Sequence, residues 1–272
     1  NYNMPTRHRN IKLEKLRFPN INVFETMRSY KGRIFKLKQH LTRLGESAKT
    51  CGLDISRVSA GLAKKIKDRL KLSGLKEAYI RVSLTYHSKS RDKGAGQEEA
   101  VIIIKPLKQY PDEYYKKGVA VGTASGRKNT PAAVDSRIKS GNFLWGVMGK
   151  IDFFSNQGFE TIYLDHQGYI AEGSVSNIFL VKDKKMITPV PGGGILEGIT
   201  ASVVLDIAAE LNIEKIRQPV TRHQLYNADE VFLTNTTMEI MPVRMVDGRV
   251  IGQRCPGKMT LKFQGRYRKK TL

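Results

Sequence analysis

Strand-like alternation and helical stripes of apolar residues follow one another in the first half of the chain, and this mixture restricts the folds open to it. Residues from Val23 to Tyr30 and from Arg33 to Leu37 alternate around "YKG", which predicts a hairpin. "KQHLTRLGESAKTCGL" has the apolar spacing of an amphipathic helix, and "AYIRVSLTYH" and "AVIIIK" have the pattern of strands. This mixture predicts an α/β fold. A second helical stripe consists of Val58, Leu62, Ile66 and Leu70.

The second half of the chain also mixes short strands and helices. Residues 142–156 predict a helix, and "ETIYLD", "GYIAEG" and "NIFLVKD" predict strands linked by turns. Between the halves, "KQYPDEYYKKG" has the composition of a linker. We therefore predict a small α/β domain over residues 1–113, a linker over 114–118 and a larger domain over 119–272.

Composition places the chain among ordinary globular proteins. Hydrophobic residues make up 40% of its 272 residues and charged residues 26%, and the apolar runs are too short to cross a bilayer. Two cysteines are too few for a disulfide framework, so we predict a reducing compartment, the cytoplasm. The five histidines are scattered, so we expect no transition-metal site.

The net charge of +22 is unevenly distributed, because 27 basic and 11 acidic residues precede Val119. Clustered lysines and arginines can bind nucleic acid by releasing counterions from its phosphates. The same charge can equally belong to solvated helix faces. The aromatic residues are not interleaved with the basic ones as in an RNA-binding string, so we favour the second interpretation. A nucleic-acid-binding protein remains the alternative of a different class.

The loop "PGGGILEGIT" lies between a strand predicted to end at "MITPV" and a predicted helix, whose apolar stripe includes Val203, Val204, Ile207 and Ala208. Its spacing is close to that of a phosphate loop, but Ile199 stands where the nucleotide-binding lysine is needed, which disfavours an NTPase. Free backbone N–H groups and the positive end of the helix dipole can still bind an anion here. The alternative interpretation of the same residues is an ordinary glycine-rich turn at the start of a helix.

Five strings in fixed order support a more specific interpretation. They are "VFETMRSYKGRIFKLKQHLTRL", "RIKSGNFL", "YIAEGSVSNIFLV", "TPVPGGGILEGIT" and "DEVFLTNTTMEIMPV". Together they resemble the fold-type IV pyridoxal-phosphate enzymes, the family of branched-chain and D-amino-acid aminotransferases and aminodeoxychorismate lyase. The resemblance implies a two-domain fold, with a small α/β domain, a larger pseudo-barrel domain and pyridoxal 5'-phosphate between them. It also implies a homodimer.

The resemblance assigns the central chemistry to two residues. Lys139 in "RIKSGNFL" matches the lysine that forms a Schiff base with the cofactor and then moves a proton. Glu172 in "AEGSVSN" matches the carboxylate that faces the pyridine nitrogen and keeps it protonated. A surface lysine and a turn carboxylate are the alternatives that the residues alone would favour.

The cofactor phosphate and the substrate have further candidate ligands. Arg43 matches an arginine that binds the phosphate as a fork, an exposed helix arginine being the alternative. The other phosphate donors implied are the N–H groups of Ile199 and Thr200, and Thr236. The substrate ligands implied are Tyr30, Arg91, Thr237 and Met238, of which Arg91 can equally be a solvated loop cation.

The resemblance therefore implies an aminotransferase. Our first hypothesis is amino transfer between a branched-chain L-amino acid and a 2-oxo acid such as 2-oxoglutarate. A D-amino-acid aminotransferase and aminodeoxychorismate lyase, which eliminates pyruvate, are the alternatives on the same scaffold.

Overall fold

A computed structural model describes residues 21–55, 60–87, 97–130, 132–141, 148, 151, 158–190 and 194–272. Two β-sheets with helices packed against them make up the described chain. Within these residues, none of the helices has the length and apolar character needed to cross a membrane.

The first sheet is antiparallel, with strand order β2-β1-β3-β4. Lys31 and Gly32 connect β1 to β2 with φ angles of 50° and 82°, as in a tight two-residue hairpin turn. This confirms the predicted hairpin, with a shorter second strand than expected. The strands are β1 (Ile21–Tyr30), β2 (Arg33–Ile34), β3 (Ala78–His87) and β4 (Gln97–Pro106).

Two helices, α1 (Leu37–Thr50) and α2 (Leu62–Ser73), cover one face of this sheet. Their apolar stripes meet alternate residues of β1 and β3, because successive side chains of a strand point to opposite faces. Both predicted helices are confirmed, although Val58 lies outside the described residues. The buried contacts include Met27, Leu44, Ile66, Leu70, Ile80 and Val82.

A short helix, α3 (Asp112–Lys117), connects the two sheets along the chain. It lies within the stretch whose composition suggested a linker. Tyr115 donates a hydrogen bond from its hydroxyl to the carbonyl of Met238 at 3.1 Å, so α3 packs against the second sheet. The division of the chain at residues 114–118 stays a prediction.

The second sheet has nine strands of mixed direction within the described residues. They are β5 (Val119–Arg127), β6 (Glu160–Leu164), β7 (Ile170–Gly173), β8 (Asn177–Lys182), β9 (Lys185–Thr188), β10 (Lys215–Arg217), β11 (Glu230–Asn235), β12 (Glu239–Val246) and β13 (Arg249–Val250). Their order is β10-β9-β8-β11-β12-β5-β6-β7, with β13 paired to β12. The three central strands β8, β11 and β12 are antiparallel, whereas β5 runs parallel to β12 and β6.

Helices α4 (Ile199–Glu210) and α6 (Lys258–Thr271) pack on this sheet, and α5 (Arg222–Tyr226) lies between them in the chain. The stripe on α4 predicted from the sequence is buried. The aromatic contacts beneath α6 join Phe179 to Phe232, stacked at 5.2 Å, and Phe232 to Phe263 at 5.6 Å. Apart from 148 and 151, the helix predicted over 142–156 lies outside the described residues.

Residues 139–141 run beside β1 and bring the second half of the chain against the first sheet. The amide of Phe24 donates to the carbonyl of Lys139 at 2.9 Å, and the amide of Gly141 donates to the carbonyl of Asn22 at 2.7 Å. A Cβ on Gly141 would lie 2.8 Å from Asn22 Oδ1, so this close approach needs glycine. The pairing fixes the backbone of Lys139 beside a cavity.

Candidate active site

A cavity of about 450 Å³ lies where the first sheet, the 139–141 segment and the loops of the second sheet meet. This volume is within the range of small-molecule and cofactor sites. Seven of the residues predicted from the sequence line it, namely Arg43, Lys139, Glu172, Ile199, Thr200, Thr236 and Thr237. Residues distant in sequence therefore converge on one site.

Lys139 lies in the wall of the cavity beside the first sheet. Its Nζ is 4.9 Å from the centre of the Phe24 ring, and its amide donates to Ser47 Oγ at 3.1 Å. Burial, together with the nearby Arg43 cation, lowers the pKa of Lys139 from 10.5 to about 8. A substantial fraction of this amine is therefore neutral near pH 8, as a nucleophile or proton acceptor requires.

Glu172 stands on β7, lines the cavity and is buried. One carboxylate oxygen, Oε1, pairs with Lys128 Nζ. The other accepts hydrogen bonds from the Leu196 amide at 2.9 Å and Asn177 Nδ2 at 3.3 Å. Burial raises the pKa of Glu172, and the Lys128 cation acts against that rise. The contacts favour the ionised carboxylate and fix its orientation.

Arg43 reaches the cavity from α1. Its Nε and one terminal nitrogen donate to the two oxygens of Glu25 at 2.6 and 2.9 Å, and the other donates to the Glu197 carbonyl at 2.6 Å. Burial would raise the pKa of Glu25, but hydrogen bonds from His40 and Arg43 outweigh it and lower the pKa to about 2. A guanidinium has five N–H groups, so two remain for an anion.

The start of α4 borders the same cavity. Gly198 is the N-cap, with φ −70° and ψ 136°, and within the described chain its helix start receives no side-chain cap. The amides of Ile199 and Thr200 are in the first turn, where backbone donors lack intrahelical partners. Across the cavity, Thr234 Oγ1 is buried and has no hydrogen-bond partner among the described residues.

These features fit the cofactor that the resemblance implies. The uncapped helix start, the spare Arg43 donors and the unpartnered Thr234 hydroxyl suit a ligand carrying an anion, as a phosphate does. A lysine of lowered pKa suits an aldehyde, and an oriented carboxylate suits a pyridine nitrogen. The cavity thus offers suitable partners for the phosphate, the aldehyde and the ring nitrogen of pyridoxal phosphate.

Gly198 provides a test of the helix start. A Cβ at this position would overlap Asn177 Oδ1, so Gly198→Ala should displace Asn177 or the first turn of α4. We expect the Kd for pyridoxal phosphate to rise about tenfold, measured by equilibrium titration. Gly265→Ala on α6 is the matched control, since no described atom lies within 4 Å of its added Cβ. An unchanged Kd in Gly198→Ala would contradict this arrangement.

The predicted substrate residues are less uniformly placed. Thr237 lines the cavity, but Tyr30 and Met238 are not among its described lining residues. The Tyr30 hydroxyl donates to Glu239 Oε1 at 2.9 Å. Asn235 Oδ1 accepts from the amides of Thr237 and Met238 at 2.9 and 2.8 Å.

The substrate roles of Tyr30, Thr237 and Met238 stay predictions, and the contacts show only how their polar groups are engaged. The Tyr30 hydroxyl is engaged outside the cavity by a carboxylate that also pairs with Arg28. The backbone donors expected of Thr237 and Met238 are already satisfied by Asn235, whose amide side chain shapes the turn between β11 and β12. Arg91 lies outside the described residues.

The cavity residues that the sequence analysis did not single out include Phe24, Tyr79, Arg81 and Lys128. The Arg81 guanidinium lies 3.8 Å above the centre of the Phe24 ring. Arg81 and Tyr79 alternate with the buried residues of β3. The alternation of the sequence could therefore have placed Arg81 on the face of this strand that points away from the core. No sequence pattern could identify Lys128, because its role depends on the ion pair that it forms with Glu172 in the folded chain.

Comparison with known proteins identifies the family of this chain. The family model for amino-transferase class IV matches residues 22–246. A branched-chain-amino-acid aminotransferase of Pseudomonas aeruginosa is 32% identical over 255 residues, 91% of this chain and 83% of the relative. A D-alanine aminotransferase of Bacillus licheniformis is 32% identical over 244 residues, 89% of this chain and 84% of the relative.

A solved structure gives the same result for the fold. The branched-chain amino acid aminotransferase of Thermobaculum terrenum, in its pyridoxal-phosphate form, has a TM-score of 0.84 and 26% identity, covering 92% of this chain and 84% of that one. The predicted fold-type IV architecture and the predicted pyridoxal-phosphate dependence are confirmed. The chain belongs to the class IV aminotransferases, enzymes that use pyridoxal phosphate to move amino groups between amino acids and 2-oxo acids.

Proposed function

We propose that this enzyme transfers the amino group of a branched-chain L-amino acid to a 2-oxo acid such as 2-oxoglutarate. The observation that carries the proposal is the convergence of Lys139, with its lowered pKa, and the oriented Glu172 carboxylate on one cavity. The substrate class is supported by the Pseudomonas aeruginosa relative and the Thermobaculum terrenum structure, both named branched-chain aminotransferases.

Each residue contributes a distinct part of the site. When bound, pyridoxal phosphate supplies an electron-withdrawing ring that stabilises negative charge at the substrate Cα. Arg43, the first turn of α4 and Thr236 would hold its phosphate. Glu172 would accept a hydrogen bond from the ring nitrogen and keep it protonated. Lys128 neutralises the second oxygen of Glu172 and holds the carboxylate in place.

Lys139 is the residue we assign to covalent binding of the cofactor and to proton transfer. With substrate bound, the Lys139 amine would take the proton from the substrate Cα and return it at another atom. The pKa of about 8 suits both directions, because neither the neutral nor the charged amine is strongly disfavoured near neutral pH.

The pH dependence of cofactor attachment follows from that value. Only the neutral amine attacks an aldehyde, so the second-order rate of attachment should rise with pH and level off above about pH 8. An ordinary lysine would keep gaining rate up to about 10.5. Stopped-flow absorbance after mixing the cofactor-free protein with pyridoxal phosphate measures this curve. A midpoint near pH 10 would contradict the assigned environment.

Arg81 is our candidate for binding the substrate carboxylate. It lines the same cavity as Lys139 and stacks on Phe24, which leaves its edge available to an anion. Within the described residues its side chain makes a single long hydrogen bond, 3.4 Å from Nε to Ser83 Oγ. A guanidinium with free donors is well suited to a carboxylate.

One assay separates the candidate activities. The purified protein is supplied with pyridoxal phosphate, and L-leucine, L-valine or D-alanine is then added with 2-oxoglutarate while glutamate formation is followed. We expect the branched-chain L-amino acids to be used with the highest kcat/KM. Preference for D-alanine would instead indicate a D-amino-acid aminotransferase, the alternative that the similarity to the Bacillus licheniformis enzyme supports. Release of pyruvate from aminodeoxychorismate, without transamination, would indicate the lyase.

We also propose that the enzyme is a cytoplasmic homodimer. Val134 and Val175 line the cavity and are 53% and 52% exposed, so apolar surface borders the mouth of the site. Such surface is typical of an interface. Both cysteines, Cys51 and Cys255, are free, which fits a reducing compartment. Light scattering after size exclusion should give twice the chain mass.

A further inference from the structure

A second cavity lies on the outer side of the first sheet, between the β1–β2 turn, α1 and α2. Its volume is about 1060 Å³, and it shares no described lining residue with the active-site cavity. The proposed transamination therefore makes no use of it. We call it the outer groove, and its described lining residues are Gly32, Arg33, Ile34, Leu37, Lys38, Leu41, Thr42, Ala63, Lys67, Leu70, Lys71, Gly74, Leu75 and Lys76.

The outer groove combines an apolar floor with a basic rim. The floor is aliphatic, and no aromatic or acidic residue belongs to the described lining. The rim carries five exposed cations, and both helices contribute to it. They are Arg33, Lys38, Lys67, Lys71 and Lys76.

None of the five rim cations forms an ion pair within the described part of the chain. Elsewhere, Lys64 pairs with Asp68 at 2.7 Å and Lys185 with Glu214 at 2.9 Å. The positive charge at the groove is therefore uncompensated, and it accounts for part of the excess in the first half of the sequence.

We propose that the outer groove is a docking site for an acidic amphipathic helix of a partner protein. Apolar side chains on one face of such a helix would fill the aliphatic floor, and carboxylates beside that face would meet cations on both walls. The concave shape disfavours a flat membrane surface. The absence of aromatic residues from the described lining disfavours single-stranded nucleic acid, which stacks its bases on aromatic rings.

Charge also argues against this chain as its own occupant. Residues 1–20 contain five basic residues and one acidic residue, so they would meet the rim with like charge. A second copy of a chain with net charge +22 has the same difficulty. Complementarity points to an acidic partner.

The test uses the holoenzyme and a fluorescein-labelled synthetic helix. Its leucines recur at positions i, i+3, i+4 and i+7, and glutamates fill the other positions. A second peptide has the same composition with the leucines distributed around the helix. Fluorescence anisotropy should show saturable binding of the first peptide, weakened by salt, and binding of the second at least about tenfold weaker.

Matched variants locate the site. Lys38→Glu/Lys71→Glu reverses one cation on each wall, and Lys49→Glu/Lys65→Glu makes the same charge change on the same helices outside the groove. We expect the first pair to raise the Kd about tenfold and the second to change it less than about threefold. Leu75→Gln should weaken binding through the floor. Thermal melting and cofactor absorbance verify that each variant is folded.

Three outcomes would overturn the proposal. Equal binding of the two peptides would mean that the surface attracts any polyanion. Equal loss in both double variants would mean that the charge effect is not local to the groove. Binding to phosphatidylserine vesicles that depends on Lys38 and Lys71, without peptide binding, would assign the surface to a membrane. None of these outcomes bears on the transaminase assay.

Discussion

Replacing Lys139 by alanine should lower kcat for amino transfer by at least about 10³-fold, because one change removes both the covalent attachment point and the proton carrier. The residues proposed to bind the phosphate and the ring nitrogen remain, so the variant should still bind pyridoxal phosphate without a covalent bond. Initial rates of glutamate formation and equilibrium dialysis of the cofactor measure the two effects separately.

The control for this variant is Lys182→Ala. Lys182 is a half-exposed lysine that pairs with Asp229 at 3.1 Å, remote from the cavity lining. Its removal should leave kcat unchanged. If Lys139→Ala retains kcat within about tenfold of the parent enzyme, the assigned role of Lys139 is wrong.

Replacing Glu172 by glutamine should affect both activity and stability. The amide keeps the shape of the side chain but not its charge, so kcat should fall about 10²-fold as the ring nitrogen loses its anion. The side chains of Lys128 and Glu172 are only 12% and 11% exposed. The variant would therefore leave Lys128 as a largely buried cation without its anionic partner. The free energy of unfolding should fall by about 3 kcal/mol, measured by urea denaturation.

A double variant separates these two effects. Lys128→Gln/Glu172→Gln removes both charges, and replacing a whole buried pair by neutral groups costs little, so stability should return to within about 1 kcal/mol of the parent. The rate should stay low, because the anion that faces the ring nitrogen is still missing. Recovery of kcat in the double variant would show that Glu172 acts only through stability.

The sequence predicted the elements whose signal is local. The β1–β2 hairpin, α1 and the buried stripe of α4 could be derived from spacing alone, because the turn residues and apolar periods act over a few positions. The active-site residues could not be derived in this way. Lys139 and Glu172 are far apart in sequence, and only the order of five family strings singled them out.

Other features were inaccessible because they depend on tertiary contacts. Helix α6 is rich in lysine and arginine. Its side chains Phe263 and Tyr267 are buried because they contact the rings of Phe232 and Phe35, which are distant in sequence. The hydrogen bond of the Tyr30 hydroxyl was inaccessible for a similar reason. Its partner Glu239 lies more than 200 residues away in sequence.

The central claim is that Lys139 is the residue to which pyridoxal phosphate binds covalently. Reducing the holoenzyme with borohydride fixes the cofactor to its lysine, and mass spectrometry of a proteolytic digest identifies that residue. We predict that the cofactor mass is found on the peptide that contains Lys139. Labelling of Lys128, the other lysine in the described cavity lining, or of no lysine at all, would contradict the account.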